Sequence, residues 1–197
     1  MFAQIIVGKT RDGAAMQATA ERWDAELRPG AKGILGVTSG VADDGTAFTI
    51  VRFDSEADAK ANSARPEQGR FWQEMSAHYE GEPTFYNCPE VDVFGKGGSD
   101  DAGFVQAMIY KPKDVGAIRA AAATFEKFMA ERPDIIGGTT AYATDGTVID
   151  TTYFTSEEAA RAGEKQELPA ELQTMMQGFG ENAGEIRFID IRDPNFS

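Results

Sequence analysis

Apolar and polar positions along this chain alternate between two rhythms. Phe2–Val7 and Thr46–Phe53 are short β-type runs in which neighbouring residues point to opposite faces. Between them, Met16, Ala20, Trp23 and Leu27 follow spacings of 4, 3 and 4, the single apolar stripe of an amphipathic helix. The same order then recurs. FAQIIVGKTRD (2–12) and FVQAMIYKPKD (104–114) share four of eleven residues, and Ile118, Ala122, Phe125 and Met129 repeat the helical stripe at an offset of 102. A chain that repeats its pattern at this length carries one structural unit twice.

The register extends through both halves. Arg28-Pro29 meets Arg132-Pro133, where proline stops each helix. Asp44-Gly45-Thr46 meets Asp145-Gly146-Thr147, a hairpin-turn signal between two strands. The next strands run into helices for which Ser55, and Thr155 or Ser156, are the candidate caps. GEPTF (81–85) meets GEIRF (184–188) before a last strand. Each half thus predicts strand, helix, strand, hairpin, strand, helix, strand, the α+β order of a ferredoxin-like βαββαβ unit. The expected organisation is a first repeat over 1–95, a glycine-rich linker over 96–102 and a second repeat over 103–197. The strands are apolar on both faces: Phe48 and Ile50 on one, Val51 and Phe53 on the other. Helices cover one face, so the two sheets are expected to pack on each other, giving an intramolecular α+β barrel.

Composition narrows the partners. The net charge is −13, with 9 basic and 15 acidic residues in each of 1–95 and 103–197. Such a surface repels nucleic-acid backbones and anionic membranes. No apolar run approaches the ~20 residues that span a bilayer, and the N-terminus does not read as a signal peptide. The single cysteine, Cys88, excludes an internal disulfide, and the expected location is the cytoplasm. One histidine and one cysteine do not make an ordinary zinc site, and no phosphate-binding glycine motif follows a strand. Neither a metal nor a cofactor is expected.

The unit order, with Phe53-Asp54-Ser55-Glu56-Ala57 leading into Arg70-Phe71-Trp72, resembles the dimeric α+β barrel superfamily. That group includes the antibiotic-biosynthesis monooxygenase-like and stress-responsive barrel proteins. The resemblance covers both halves and implies a fused form of a barrel usually built from two chains. The implied assembly is a monomer or weak homodimer.

Positions that differ between the repeats are candidates for function. His78, with Phe71 and Met75, sits on an inward stripe where the twin residue is Phe179. Trp72, Tyr79 and Asn62 meet Gln173, Gly180 and Gly163, and Arg52 meets Tyr153. His78 is either a hydrogen-bonded core residue or a general base facing a pocket. Arg52 either snorkels to the rim or holds an anionic substrate group. Gln4 and Gln106, kept in both halves, read as structural, bonded to each other or to buried water. Among the superfamily, cofactor-free monooxygenases use Asn, Trp and Tyr-type residues, and haem-degrading relatives use Asn, Trp and His. The resemblance therefore implies a cofactor-independent monooxygenase for a small aromatic or polyketide-like compound, with His78 as base and Asn62, Trp72, Tyr79 and Arg52 binding substrate. The haem-degrading pattern fits less well, because this chain has Gln4 where that type has Asn. The alternative is a non-catalytic binding or stress-related barrel, distinguished by whether a cavity opens at His78.

Overall fold

The computed structural model describes the backbone of all 197 residues and every side chain except that of Glu171. The chain divides into two compact units, one made of residues 1–91 with 191–197 and the other of residues 92–190.

In the first unit, β1 (Phe2–Lys9) leads to α1 (Gly13–Glu26), then β2 (Ile34–Val41), β3 (Thr46–Phe53), α2 (Glu56–Ser63), α3 (Pro66–Ser76) and β4 (Thr84–Cys88). In the second, β5 (Glu90–Gly95) is followed by β6 (Phe104–Tyr110), α4 (Val115–Ala130), β7 (Ile135–Tyr142), β8 (Val148–Phe154), α5 (Glu157–Glu164), α6 (Ala170–Ala183) and β9 (Ile186–Ile191). A short β10 (Asn195–Phe196) closes the chain.

Local codes account for most boundaries. Asp12 and Asp114 cap α1 and α4 by accepting hydrogen bonds from backbone amides of the first turn. Ser55 caps α2; Ser156, rather than Thr155, caps α5. Gly45 and Gly146 turn the two hairpins at φ 79° and 86°, a region that glycine enters without steric cost. One departure from the sequence reading has a covalent cause. A single helix was expected between β3 and β4, but Arg65 precedes Pro66 and is extended at φ −68° and ψ 130°, so α2 and α3 are separate.

Each sheet is antiparallel and five-stranded, ordered β10-β2-β3-β1-β4 and β5-β7-β8-β6-β9. Four adjacent strands of each, β2-β3-β1-β4 and β7-β8-β6-β9, follow the ferredoxin-like order, and the fifth comes from the closing segment of the other sequence repeat. The compact units therefore do not follow the repeat boundaries, and residues 96–102 lie within the second unit. Registers correspond between the sheets: Phe2 pairs with Phe53 and Phe104 with Phe154, and both sheets carry a bulge after the first residue of β2 or β7. Apolar residues bury both strand faces. Ile5, Phe48 and Ile50 have no exposed surface on one face of the first sheet, while Phe2 and Phe53 are buried on the other with Ala59 of α2.

Candidate functional site

The helix-facing side of the first sheet encloses a cavity of about 320 Å³. Strands β1, β2 and β3 supply its floor, including Gln4, Ile6, Thr49 and Val51, while α1, α2 and α3 form its walls. Trp23 and Trp72, the only tryptophans in the chain, both line it. Trp72 meets Phe85 edge-on at 5.0 Å between ring centroids and lies 6.2 Å from Tyr79. The Trp23 indole donates to Gln68 Oε1 at 2.8 Å, which fixes the ring against α3.

Three of the five residues proposed from sequence converge here: Asn62, Trp72 and Tyr79. Asn62 is 7% exposed, and its Oδ1 accepts from Arg65 Nη1 at 3.0 Å, which leaves its amide N–H groups as the donors it can offer. Burial pushes the Tyr79 phenol up to about 12, so at neutral pH it remains a proton donor. The sequence reading passed over Asp24, the only Asp or Glu in the lining. Burial pushes its carboxyl up, and hydrogen bonding with Ser197 and the charge of Arg28 draw it partly back.

His78 and Arg52 are outside the lining. The stripe reading required a helix that continues through His78, but α3 ends at Ser76 and His78 lies in the following turn. There its Nε2 is 2.9 Å from Thr19 Oγ1 on α1. Thr19 donates its own hydroxyl proton to the Ala15 carbonyl at 3.1 Å, so the hydrogen in this bond belongs to the imidazole. The His78 carbonyl also accepts from Thr10 Oγ1 at 2.9 Å, so the residue ties β1 and α1 to the turn. Arg52 alternates with Val51 on β3 and points to the opposite face, its guanidinium over Gly36. Gln4 and Gln106 each bond within their own sheet: Gln4 donates to Asn87 of β4 at 3.0 Å and Gln106 to Asp190 of β9 at 2.9 Å. Each pins two neighbouring strands of its own sheet.

The second unit has its own cavity of about 450 Å³, bounded by its sheet and by α4 and α6. Its polar groups were missed from sequence. Asp150 on β8 accepts from Tyr110 Oη at 2.8 Å and from Thr140 Oγ1 at 2.5 Å. The carboxyl lies deep among protein groups, and its half-buried residue still meets solvent at the cavity. Burial pushes it up, against the two hydrogen bonds that favour the charged form. Tyr142 donates to Asp92 Oδ2 at 2.9 Å, and the Arg119 guanidinium stacks 3.9 Å from the Tyr142 ring centroid. The twin comparison could have found this cluster, because Asp150 stands opposite Thr49, Tyr110 opposite Gly8 and Tyr142 opposite Val41.

One pair of differences changes the packing beside the sheet. A Cβ on Gly8 would come within 2.5 Å of the Tyr79 ring. In the second repeat the aromatic ring comes from the strand, as Tyr110, and the helix supplies Gly180, which has open space around it. The Tyr110 ring meets Phe179 edge-on at 5.3 Å between centroids.

The two cavities and the strand order define a small-molecule-sized site on a duplicated ferredoxin-like scaffold. No family model matches the sequence, and no curated protein matches it significantly. Solved structures do match. A candidate monooxygenase from Fusobacterium nucleatum subsp. nucleatum superposes with a TM-score of 0.77 at 7% identity, covering 97% of this chain and 91% of that one. An anthrone oxidase-like protein gives 0.75 at 12% identity, with 100% and 92% covered. A candidate monooxygenase from Lactobacillus acidophilus NCFM gives 0.73 at 15% identity, with 96% and 92% covered. The chain thus has the ferredoxin-like fold of the antibiotic-biosynthesis-monooxygenase-like proteins over nearly its whole length. At these identities the likeness concerns fold, and a fold hosts many activities. Among the described residues no helix is long and apolar enough to cross a membrane.

Proposed function

We propose that the cavity of the first unit binds a small planar aromatic compound and that the protein acts on it as a cofactor-independent oxygenase. The observation that carries this reading is the lining itself. Two tryptophans, Phe71, Phe85 and Tyr79 surround a space of about 320 Å³ whose lining is mostly apolar, with polar side chains such as Asn62, Gln68 and Asp24 set among it. That is the pattern of a site that takes an apolar body and orients it by a few hydrogen bonds. Asn62 and Tyr79 would hold a substrate oxygen. Asp24, whose proton affinity is raised by burial, is the lining carboxyl available to accept a proton as the substrate becomes an anion able to reduce dioxygen. His78 supports the site by anchoring the turn that presents Tyr79.

The likeness to an anthrone oxidase-like protein makes anthrone a suitable probe. Anthrone titration is expected to quench Trp23 and Trp72 emission saturably, and Ala20→Phe, which fills the cavity, should weaken binding about tenfold or more. An oxygen electrode should record uptake above the uncatalysed rate, falling in Asp24→Asn. Saturable quenching with no enzymatic oxygen uptake would favour the second reading, a non-catalytic binding protein. That reading draws on the lack of a histidine in the lining. Absence of saturable quenching would overturn the aromatic-binding site.

A further inference from the structure

We propose that the cavity of the second unit is a separate binding site for an organic amine, an ammonium group carried on an apolar body, with Asp150 as its counter-charge. Three observations support this. First, the two recorded hydrogen bonds to Asp150 come from neutral hydroxyls, those of Tyr110 and Thr140. A partly buried carboxylate held by neutral hydroxyls is costly to keep charged, and burial correspondingly pushes this one up. An incoming cation removes that cost. Second, the surrounding wall is aromatic. Tyr110, Phe125, Phe179 and Tyr142 line the same cavity as Asp150. Aromatic faces attract ammonium groups and accept the apolar body that carries them. Third, the charge of the lining is complementary. It holds Asp92, Glu126 and Asp150 against one cation, Arg119, which already stacks on Tyr142. The net charge of −13 draws cations toward the protein as a whole.

The fold does not require a carboxylate at this position, since the equivalent residue of the first repeat is Thr49, which lines the other cavity. In a purely structural role asparagine would serve as well: its Oδ1 accepts from one of the two hydroxyls and its amide N–H donates to the oxygen of the other, while the charge is removed. That difference makes the proposal testable. The site is independent of the aromatic-binding reading of the first unit, and the two are read separately. Both tryptophans line the first cavity and none lies in the second unit, so their emission reports the first cavity alone.

Calorimetric titration with 4-phenylbutylamine and with its neutral match, 4-phenylbutan-1-ol, tests the assignment. The amine is expected to bind about tenfold tighter or more, without a change in tryptophan emission. Asp150→Asn should abolish the preference for the amine. Ala122→Phe, an exposed helix position on the cavity wall, should weaken both compounds and serves as the test if Asp150→Asn does not fold. Equal affinities for amine and alcohol would overturn the proposal. So would an amine preference that survives Asp150→Asn, or amine binding that survives Ala122→Phe and alters tryptophan emission.

Discussion

Gly8 offers a quantitative test of how the first cavity is built. An alanine Cβ there would lie 2.5 Å and 2.8 Å from two atoms of the Tyr79 ring and 3.1 Å from Pro83 Cβ. Gly8 lies within β1 opposite Ala47, with no positive φ, so space alone excludes a side chain. Pushing a packed ring aside costs about 1–3 kcal/mol. Removing a glycine from a strand returns about 0.5–1 kcal/mol. Gly8→Ala should therefore lower stability by about 0.5–2 kcal/mol, or about 1–8 °C in Tm for a chain of this size. In a Tyr79→Ala background the ring is gone and only the tight Pro83 contact remains. The same substitution should then be neutral or stabilise by up to about 0.5 kcal/mol. Urea unfolding followed by tryptophan emission reads the first unit, and a cycle of four proteins isolates the coupling, expected at about 0.5–2.5 kcal/mol. If Gly8→Ala costs the same with and without the Tyr79 ring, the account of Gly8 is wrong. Anthrone binding should weaken in Gly8→Ala, because the displaced ring lines the cavity.

Two further outcomes concern stability. His78→Phe should cost about 1 kcal/mol, seen as a fall in Tm, through loss of the bond to Thr19; unchanged or higher stability would show that the imidazole contributes nothing to the turn. The Lys9 ammonium and the Thr46 amide and hydroxyl hold the Asp44 carboxyl at about 2. Because this value is depressed, the unfolded chain binds the proton more readily, and the contribution is present above about pH 4 and lost as pH falls toward 2. Asp44 is largely exposed, so Asp44→Asn should cost below about 1 kcal/mol at neutral pH and nothing below pH 2, checked by thermal melts across that range.

Much of the candidate site could be read from the chain because the repeats act as controls for each other. Asn62, Trp72 and Tyr79 stood out against Gly163, Gln173 and Gly180, and all three line the first cavity. His78 stood out equally against Phe179, yet it faces Thr19. Spacing alone placed it on a stripe, and α3 ends two residues too early for the stripe to include it. Asp150 was overlooked for a related reason. One aspartate within an alternating strand looks like a solvated position, and its partners Tyr110 and Thr140 are 40 and 10 residues away.

The duplication, the hairpins at Asp44-Gly45 and Asp145-Gly146, the serine caps and the order of the four main strands of each repeat were legible along the chain. Each rests on interactions between residues a few positions apart, or on a periodicity that a single element imposes on its own side chains. Which strand joins which sheet and which side chains meet across a cavity were decided only by tertiary packing. Those outcomes depend on volume and on hydrogen-bond partners brought together from distant segments. Gly8 and Tyr79 show the division: the glycine has no meaning until the ring, 71 residues away, is seen to occupy the space beside it.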